Sequence, residues 1–123
     1  MRVVTAAILE QGNSVLLAKR KADDAMGGLW EFPGGGLEEG ETPDQCIVRE
    51  LREELSIKAI TLELTGCAVS EQKGIVLLFY RCSFTGQPQP LECDELRWVE
   101  KKDLLFYPMP PLDGPIAEKL SRE

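Results

Sequence analysis

Between Gly34 and Ile57 the chain reads GGGLEEGETPDQCIVRELREELSI, and this stretch restricts the fold more than any other. It joins a run of glycines to a helix whose beginning is written in the residues. Thr42 has the side chain of an N-cap, Pro43 suits the first helical position and Gln45 stands three residues after the cap, so the spacing predicts a helix from Thr42 onward. At about 100° per residue, Ile47, Val48, Leu51 and Leu55 share one face, which must be buried against another element. Glu50, Glu53 and Glu54 share a different face, all within roughly a third of the circumference. A fold built on this helix has to cover one side and neutralise another.

Like charges one helical turn apart repel by a few tenths of a kcal/mol per pair, and a hard divalent cation removes that cost. The chain contains no His, so the available ligands are oxygens, which suit Mg²⁺ or Mn²⁺ and disfavour zinc or copper. Magnesium takes a few carboxylates together with substrate phosphates, which points to a phosphate ester or anhydride as substrate. Gly34, Gly35 and Gly36, directly before the helix, let a backbone approach a ligand and offer carbonyls to a hard cation. The net charge of −7 looks hostile to a polyanion until it is mapped. Residues 31 to 54 hold eight acids and two bases, so nearly all of the imbalance is local and the remainder of the chain is close to neutral. No basic stripe exists to neutralise a nucleic-acid polymer.

Around this centre the 123 residues have the length of one domain, 1–123. Val3 to Leu9 and Ser14 to Ala18 read as two strands joined by a turn, followed by the basic residues Lys19, Arg20 and Lys21. Ala22 to Leu29 reads as a loop. Trp30 and Phe32 either anchor that loop in the core or stack on a base. Lys58 to Val69 and Gly74 to Phe84 read as a long hairpin, and Leu96 to Val99 as a last short strand. A rigid proline-rich arm from Tyr107 to Pro115 leads to a helix from Ile116 to Ser121, which Asp113 is placed to cap. Cys46, Cys67, Cys82 and Cys93 lack metal or redox spacing and read as reduced thiols acting as small hydrophobes. No apolar run is long enough for a membrane span and no charged-then-apolar leader opens the chain, so the expected compartment is the cytoplasm.

The central stretch resembles the Nudix box, G-x5-E-x7-R-E-U-x-E-E-x-G-U with U a bulky aliphatic. Gly35, Glu41, Arg49, Glu50, Leu51, Glu53, Glu54 and Ile57 fill their positions, and only the late glycine departs, as Ser56. The resemblance implies a Nudix α/β/α sandwich with a mixed sheet and the Nudix loop-helix. It implies metal-dependent hydrolysis of a nucleoside diphosphate linked to a further group. For a nucleoside triphosphate the products are a monophosphate and pyrophosphate. The carboxylates of Glu50, Glu53 and Glu54, with the Gly35 carbonyl, would hold Mg²⁺ or Mn²⁺. Glu50 or Glu53 would take the proton of the attacking water, Arg49 would orient a glutamate, and Glu41 would fix the loop. A further ligand or base would come from Glu92 or Glu95, between which the sequence does not choose.

For the substrate, the resemblance favours Arg20 as the phosphate contact among the strand-end cations. It places Phe32, the strand around Phe79 and Asp113 at the nucleobase. Asp113 falls where nucleotide pyrophosphohydrolases of the MutT and NudG type read a base edge, which suits a CTP-type base or an oxidised purine such as that of 8-oxo-dGTP. Such an enzyme would clean the nucleotide pool and so serve DNA repair. ADP-ribose, dinucleotide or nucleotide-sugar hydrolysis is the alternative within the family, and a non-catalytic binding module the alternative outside catalysis. The implied partner is a small nucleotide, with neither nucleic-acid polymer nor membrane, and the assembly is a monomer or homodimer.

Overall fold

A computed structural model describes residues 1–123. Seven strands form a mixed sheet: β1 (Arg2–Gln11), β2 (Ser14–Lys19), β3 (Trp30–Glu31), β4 (Gly34–Gly36), β5 (Lys58–Ser70), β6 (Ile75–Thr85) and β7 (Glu95–Glu100). Helix α1 (Pro43–Leu55) lies between β4 and β5 in the chain, and α2 (Gly114–Ser121) ends it. Strand β1 is the spine. Arg2 to Leu9 pair in parallel with β6, Val4 to Ala6 pair antiparallel with β4, and Glu10 and Gln11 turn through Gly12 and Asn13 into β2. The predicted first hairpin is therefore only a corner, and β2 pairs along its length with β7. The predicted long hairpin is present as β5 and β6, with bulges near Glu63 and Gly66.

Alternation along β1 and β2 sends side chains into two cores. Ala7, Leu9 and Leu16 meet Ile47, Leu51 and Leu55 of α1, while Ala6, Ile8, Val15 and Leu17 meet Ile116, Ala117 and Leu120 of α2. Each fully buried aliphatic contributes about 1.5–3 kcal/mol, so the α1 face that the periodicity marked out is what fixes the helix to the sheet. The sandwich implied by the sequence is the fold observed. No helix is long and apolar enough to cross a membrane.

Helix α1 begins with the capping box that its sequence predicts. The Gln45 N–H donates to Thr42 Oγ1 at 3.2 Å and the Thr42 N–H donates to Gln45 Oε1 at 3.0 Å. It ends at Ser56, held left-handed at φ 57° where the box has glycine, with its N–H on the Arg52 carbonyl. We expect Ser56→Gly to relieve that strain and raise stability by about 0.5–1 kcal/mol in urea titrations, with activity unchanged.

Candidate functional site

Arg49, at the middle of α1, gathers the acidic residues around it. Its Nε donates to Glu41 Oε2 at 2.6 Å, and its Nη2 donates to Glu41 Oε1 at 3.0 Å and to the Gly36 carbonyl at 3.2 Å. Its Nη1 donates to Glu50 Oε1 at 3.0 Å and Glu53 Oε2 at 3.1 Å, and lies 3.3 Å from Glu38. Glu41 Oε1 also accepts from the Glu38 N–H at 2.9 Å. These hydrogen bonds, Arg49 first and Glu38 second, hold the Glu41 carboxyl at about 2 and raise Arg49 above its ordinary value. One guanidinium thus ties the loop to the helix and orients two of the three helix glutamates.

Gly35 is placed for clearance. A Cβ there would overlap the Glu50 carboxylate, so Glu50 lies flat on the glycine backbone. The Gly35 carbonyl, an expected metal ligand, instead accepts from Thr5 Oγ1 at 3.1 Å and Cys46 Sγ at 3.4 Å. Both donors come from the interface between β1 and α1, so this oxygen is already occupied by hydrogen bonds. Cys46 and Cys82 are buried as expected of small hydrophobes, whereas Cys67 is exposed on the edge strand β5; all four thiols are free.

The loop after β6 supplies the fourth carboxylate. The Gln89 N–H donates to the Leu55 carbonyl at 2.9 Å and the Leu91 N–H to the Glu54 carbonyl at 3.1 Å, satisfying the last carbonyls of α1. That docking places Glu92 beside Glu54, in the same cleft. Asp94 instead pins the loop, accepting from the Ala22 N–H at 3.0 Å, and Glu95 turns outward to accept from Arg97 Nε at 3.0 Å. Of the two candidates that the sequence left open, Glu92 is the one that stands beside Glu54. Glu54 is half-buried, and its carboxyl is pushed up to about 8 by burial first, then by repulsion from Glu50 and Glu92. No three of these groups converge on a single point as a finished cage. Their fit to a hard cation is chemical: an all-oxygen donor set whose mutual repulsion such a cation relieves.

A cleft of about 740 Å³ runs from these carboxylates along Gly34–Gly36 to Phe32 and Asp113. This is the size of a small-ligand site. Glu50 and Glu53 stand just beyond its lining, Glu50 on the far side of Gly35 and Glu53 half in solvent. Arg20 reaches the cleft already engaged, with Nη1 on Glu31 at 3.0 Å, Nη2 on Asp24 at 3.0 Å and Nε on the Ala25 carbonyl at 2.8 Å. Trp30 is core, edge-on to Tyr107 at 5.5 Å and covered by Arg97 at 4.9 Å. Phe32 is buried but faces the cleft. Phe79 does not line it: it packs edge-on behind Phe32 at 5.9 Å and can only support that ring.

Asp113 does not cap α2, since its side chain makes no capping hydrogen bond. It is 5% exposed, and its Oδ2 accepts from the Phe32 N–H at 3.4 Å. Burial, then the Glu31 charge, push its carboxyl up to about 7, against a lowering by that N–H and by Arg20. Sequence reasoning missed Arg2, which opens β1, extends across Gly36 and lines the cleft from the same face of β1 as Val4 and Ala6. Its signal was a lone cation before an apolar strand, which by itself is indistinguishable from a solvated strand end.

Residues 1–120 match the family model described as NUDIX domain, and the chain belongs to that family. It is 39% identical over 118 residues to the CTP pyrophosphohydrolase of Escherichia coli strain K12, covering 94% of this chain and 87% of that one. It is 32% identical over 125 residues to the 8-oxo-dGTP diphosphatase of the same strain, covering 99% of this chain and 97% of that one. The solution structure of the E. coli ORF135 protein superposes with a TM-score of 0.83 at 39% identity, covering 96% of this chain and 86% of that one. The family, the α/β fold and the pyrophosphohydrolase class implied by the box are thereby borne out, together with the need for a divalent metal.

One consequence concerns pH. The ordinary carboxyl value for Asp113 is 3.8, so with the folded value at about 7 the folded chain binds this proton more tightly than the unfolded one. Stability attributable to this group therefore falls as pH rises from about 4 to about 7 and is level above that. We expect Asp113→Asn to stabilise the protein at pH 8 by on the order of 2 kcal/mol, with the gain disappearing near pH 4 in urea titrations.

Proposed function

We propose that this chain, acting as one domain on free nucleotides in the cytoplasm, hydrolyses a nucleoside triphosphate to the monophosphate and pyrophosphate. The base is of the CTP or oxidised-purine type, and the cellular role is cleaning of the nucleotide pool. The observation that carries the reading is the intact set of carboxylates around Arg49, opening onto a cleft whose other end is a buried acid at a ring-lined wall. Glu50, Glu53, Glu54 and Glu92 would hold the metal, Mg²⁺ or Mn²⁺, which when bound neutralises phosphate charge and acidifies water. Glu50 and Glu53, each fixed by a hydrogen bond from Arg49, are the groups oriented to take the water proton.

Phosphoryl chemistry needs alignment and charge neutralisation more than covalent help, so the role of Arg49 is to prevent the glutamates from swinging away. Asp113 and Phe32 read the base. Above pH 7 the Asp113 carboxylate only accepts hydrogen bonds, from an exocyclic amine or ring N–H; below it one oxygen donates. A binding module without catalysis would not need four carboxylates kept close together against their own repulsion.

The deciding assay is a panel of normal and oxidised nucleoside triphosphates, ADP-ribose and dinucleotides with Mg²⁺, reading product identity. Pyrophosphate release from a triphosphate is expected; turnover confined to ADP-ribose or dinucleotides would refute the substrate assignment. Glu53→Gln should lower kcat about 10²–10⁴-fold with an unchanged melting temperature, because Glu53 is half exposed. Full retained turnover would remove Glu53 from the site. Asp113→Ala should change relative kcat/KM across bases more than it changes metal dependence.

A further inference from the structure

Cysteines aside, two polar side chains are buried in this chain: Asp113 at the cleft and Thr5 in the middle of β1. Thr5 stands in the apolar run from Val3 to Leu9, where valine would fill the same space without a hydroxyl to satisfy. Its Oγ1 donates to the Gly35 carbonyl at 3.1 Å, and the fully buried Cys46 Sγ donates to the same oxygen at 3.4 Å. Hydroxyl and thiol are themselves 3.4 Å apart, so the three groups close a triangle between β1 and α1. The strand they hold, β4, is three glycines that pair with β1 as Val4 to Gly36, Thr5 to Gly35 and Ala6 to Gly34. With no side chains to pack, it can be held only through its backbone. Arg49 takes the Gly36 carbonyl at 3.2 Å; Thr5 and Cys46 take that of Gly35.

We propose that Thr5 and Cys46 are positioning residues for the reaction, fixing the glycine strand at the height that seats the Glu50 carboxylate for the metal. The inference rests on the metal-site reading above. Cys46 and Glu50 are four residues apart, one turn along the same stripe of α1. Both rest on Gly35: the thiol meets its oxygen, and the Glu50 carboxylate occupies the space that a Cβ would fill. Glu50 therefore has two supports, the Arg49 hydrogen bond to Oε1 at 3.0 Å and the glycine beneath it. A shift of Gly35 toward α1 would push the carboxylate aside, and a shift away would leave Arg49 to hold it from one side.

The test combines amide hydrogen exchange of the metal-free chain with Mn²⁺ binding by calorimetry and steady-state kinetics. The Leu37 N–H donates to the Val3 carbonyl at 3.1 Å and the Ala7 N–H to the Pro33 carbonyl at 2.7 Å, so these two amides flank the Thr5–Gly35 pair and report on it. In Thr5→Val both should exchange faster. Mn²⁺ affinity and kcat should fall about 10–100-fold, as when a group that orients a metal ligand is removed. KM for the nucleotide at saturating metal should be unchanged, because alternation turns Thr5 away from the face where Val4 and Ala6 meet Phe32. Thr5→Ser keeps the hydroxyl and should restore exchange, affinity and turnover; Cys46→Ala should show the same losses to a smaller degree. Parent-like Mn²⁺ affinity and kcat in Thr5→Val, or a Thr5→Ser chain as impaired as Thr5→Val, would overturn the assignment. If Glu50→Gln binds Mn²⁺ as tightly as the unmodified chain, the metal-site reading fails. Amide exchange without metal still decides whether Thr5 and Cys46 hold the glycine strand.

Discussion

One side chain, Arg49, makes the site possible. It bonds to Glu41, Glu50 and Glu53, lies within ion-pair distance of Glu38 and holds the Gly36 carbonyl as well. Without that charge, the first turns of α1 and the preceding loop would present a run of acids with nothing between them. Lysine could not replace it, because a point charge on a flexible stem cannot hold Glu41 through two nitrogens while reaching Glu50 and Glu53 with a third. The same fork joins residues eight and thirteen positions apart in the chain. Loop and helix therefore move as a unit, and the glutamates keep their orientation before any ligand arrives.

The end of that helix matters as much as its middle. At Ser56 the chain leaves α1 in a left-handed conformation, which frees the last carbonyls to be met from outside. The loop carrying Gln89 and Leu91 meets them, and its next residue, Glu92, is thereby set against Glu54. A backbone accounting problem, the orphan carbonyls of a helix terminus, is solved by the segment that brings the fourth carboxylate. Burial first and then the neighbouring carboxylates push the Glu54 carboxyl up to about 8, so it holds a proton at neutral pH that a bound cation would displace.

What was legible in the residues was whatever is local. The capping box at Thr42, the buried face of Ile47, Leu51 and Leu55 and the three-glutamate face all depend on helical spacing, and all are found. What was not legible depends on strand pairing across the chain. β1 and β2 look like one hairpin, yet β1 spends most of its length beside β6, and that parallel pairing sets Arg2 opposite Ile75 at the edge of the cleft. Where Glu92 and Glu95 lie depended on a loop docking onto α1, and the strand around Phe79, named from the resemblance, reaches the cleft through Ile75 and Leu77 while Phe79 itself stands behind Phe32. Asp113 was legible both as a cap and as a base reader; its carboxylate makes no cap and turns inward to the Phe32 N–H. Gly35 and Gly36 were read as room for a ligand and as carbonyl ligands; in the structure the room is taken by the chain's own side chains, Glu50 over Gly35 and Arg2 over Gly36.

These positions divide the labour of the cleft by charge. Most of the chain's net charge of −7 lies in residues 31–54, and a triphosphate adds further negative charge to the same place. Two unit charges 4 Å apart at an effective dielectric of about 20 interact by about 4 kcal/mol, so a bare polyanion is turned away from the carboxylates. Arg49 cannot offset this, because its donors already face glutamates. Under the proposed reading, attraction would come from a divalent cation held by those glutamates. The Phe32–Asp113 end carries a buried acid whose carboxyl is pushed up to about 7, so near that pH it is divided between a form that donates a hydrogen bond and one that only accepts. The carboxylates around Arg49 and the buried acid at Phe32 thus stand at separate stretches of the site, so a substitution at one should leave the role of the other measurable.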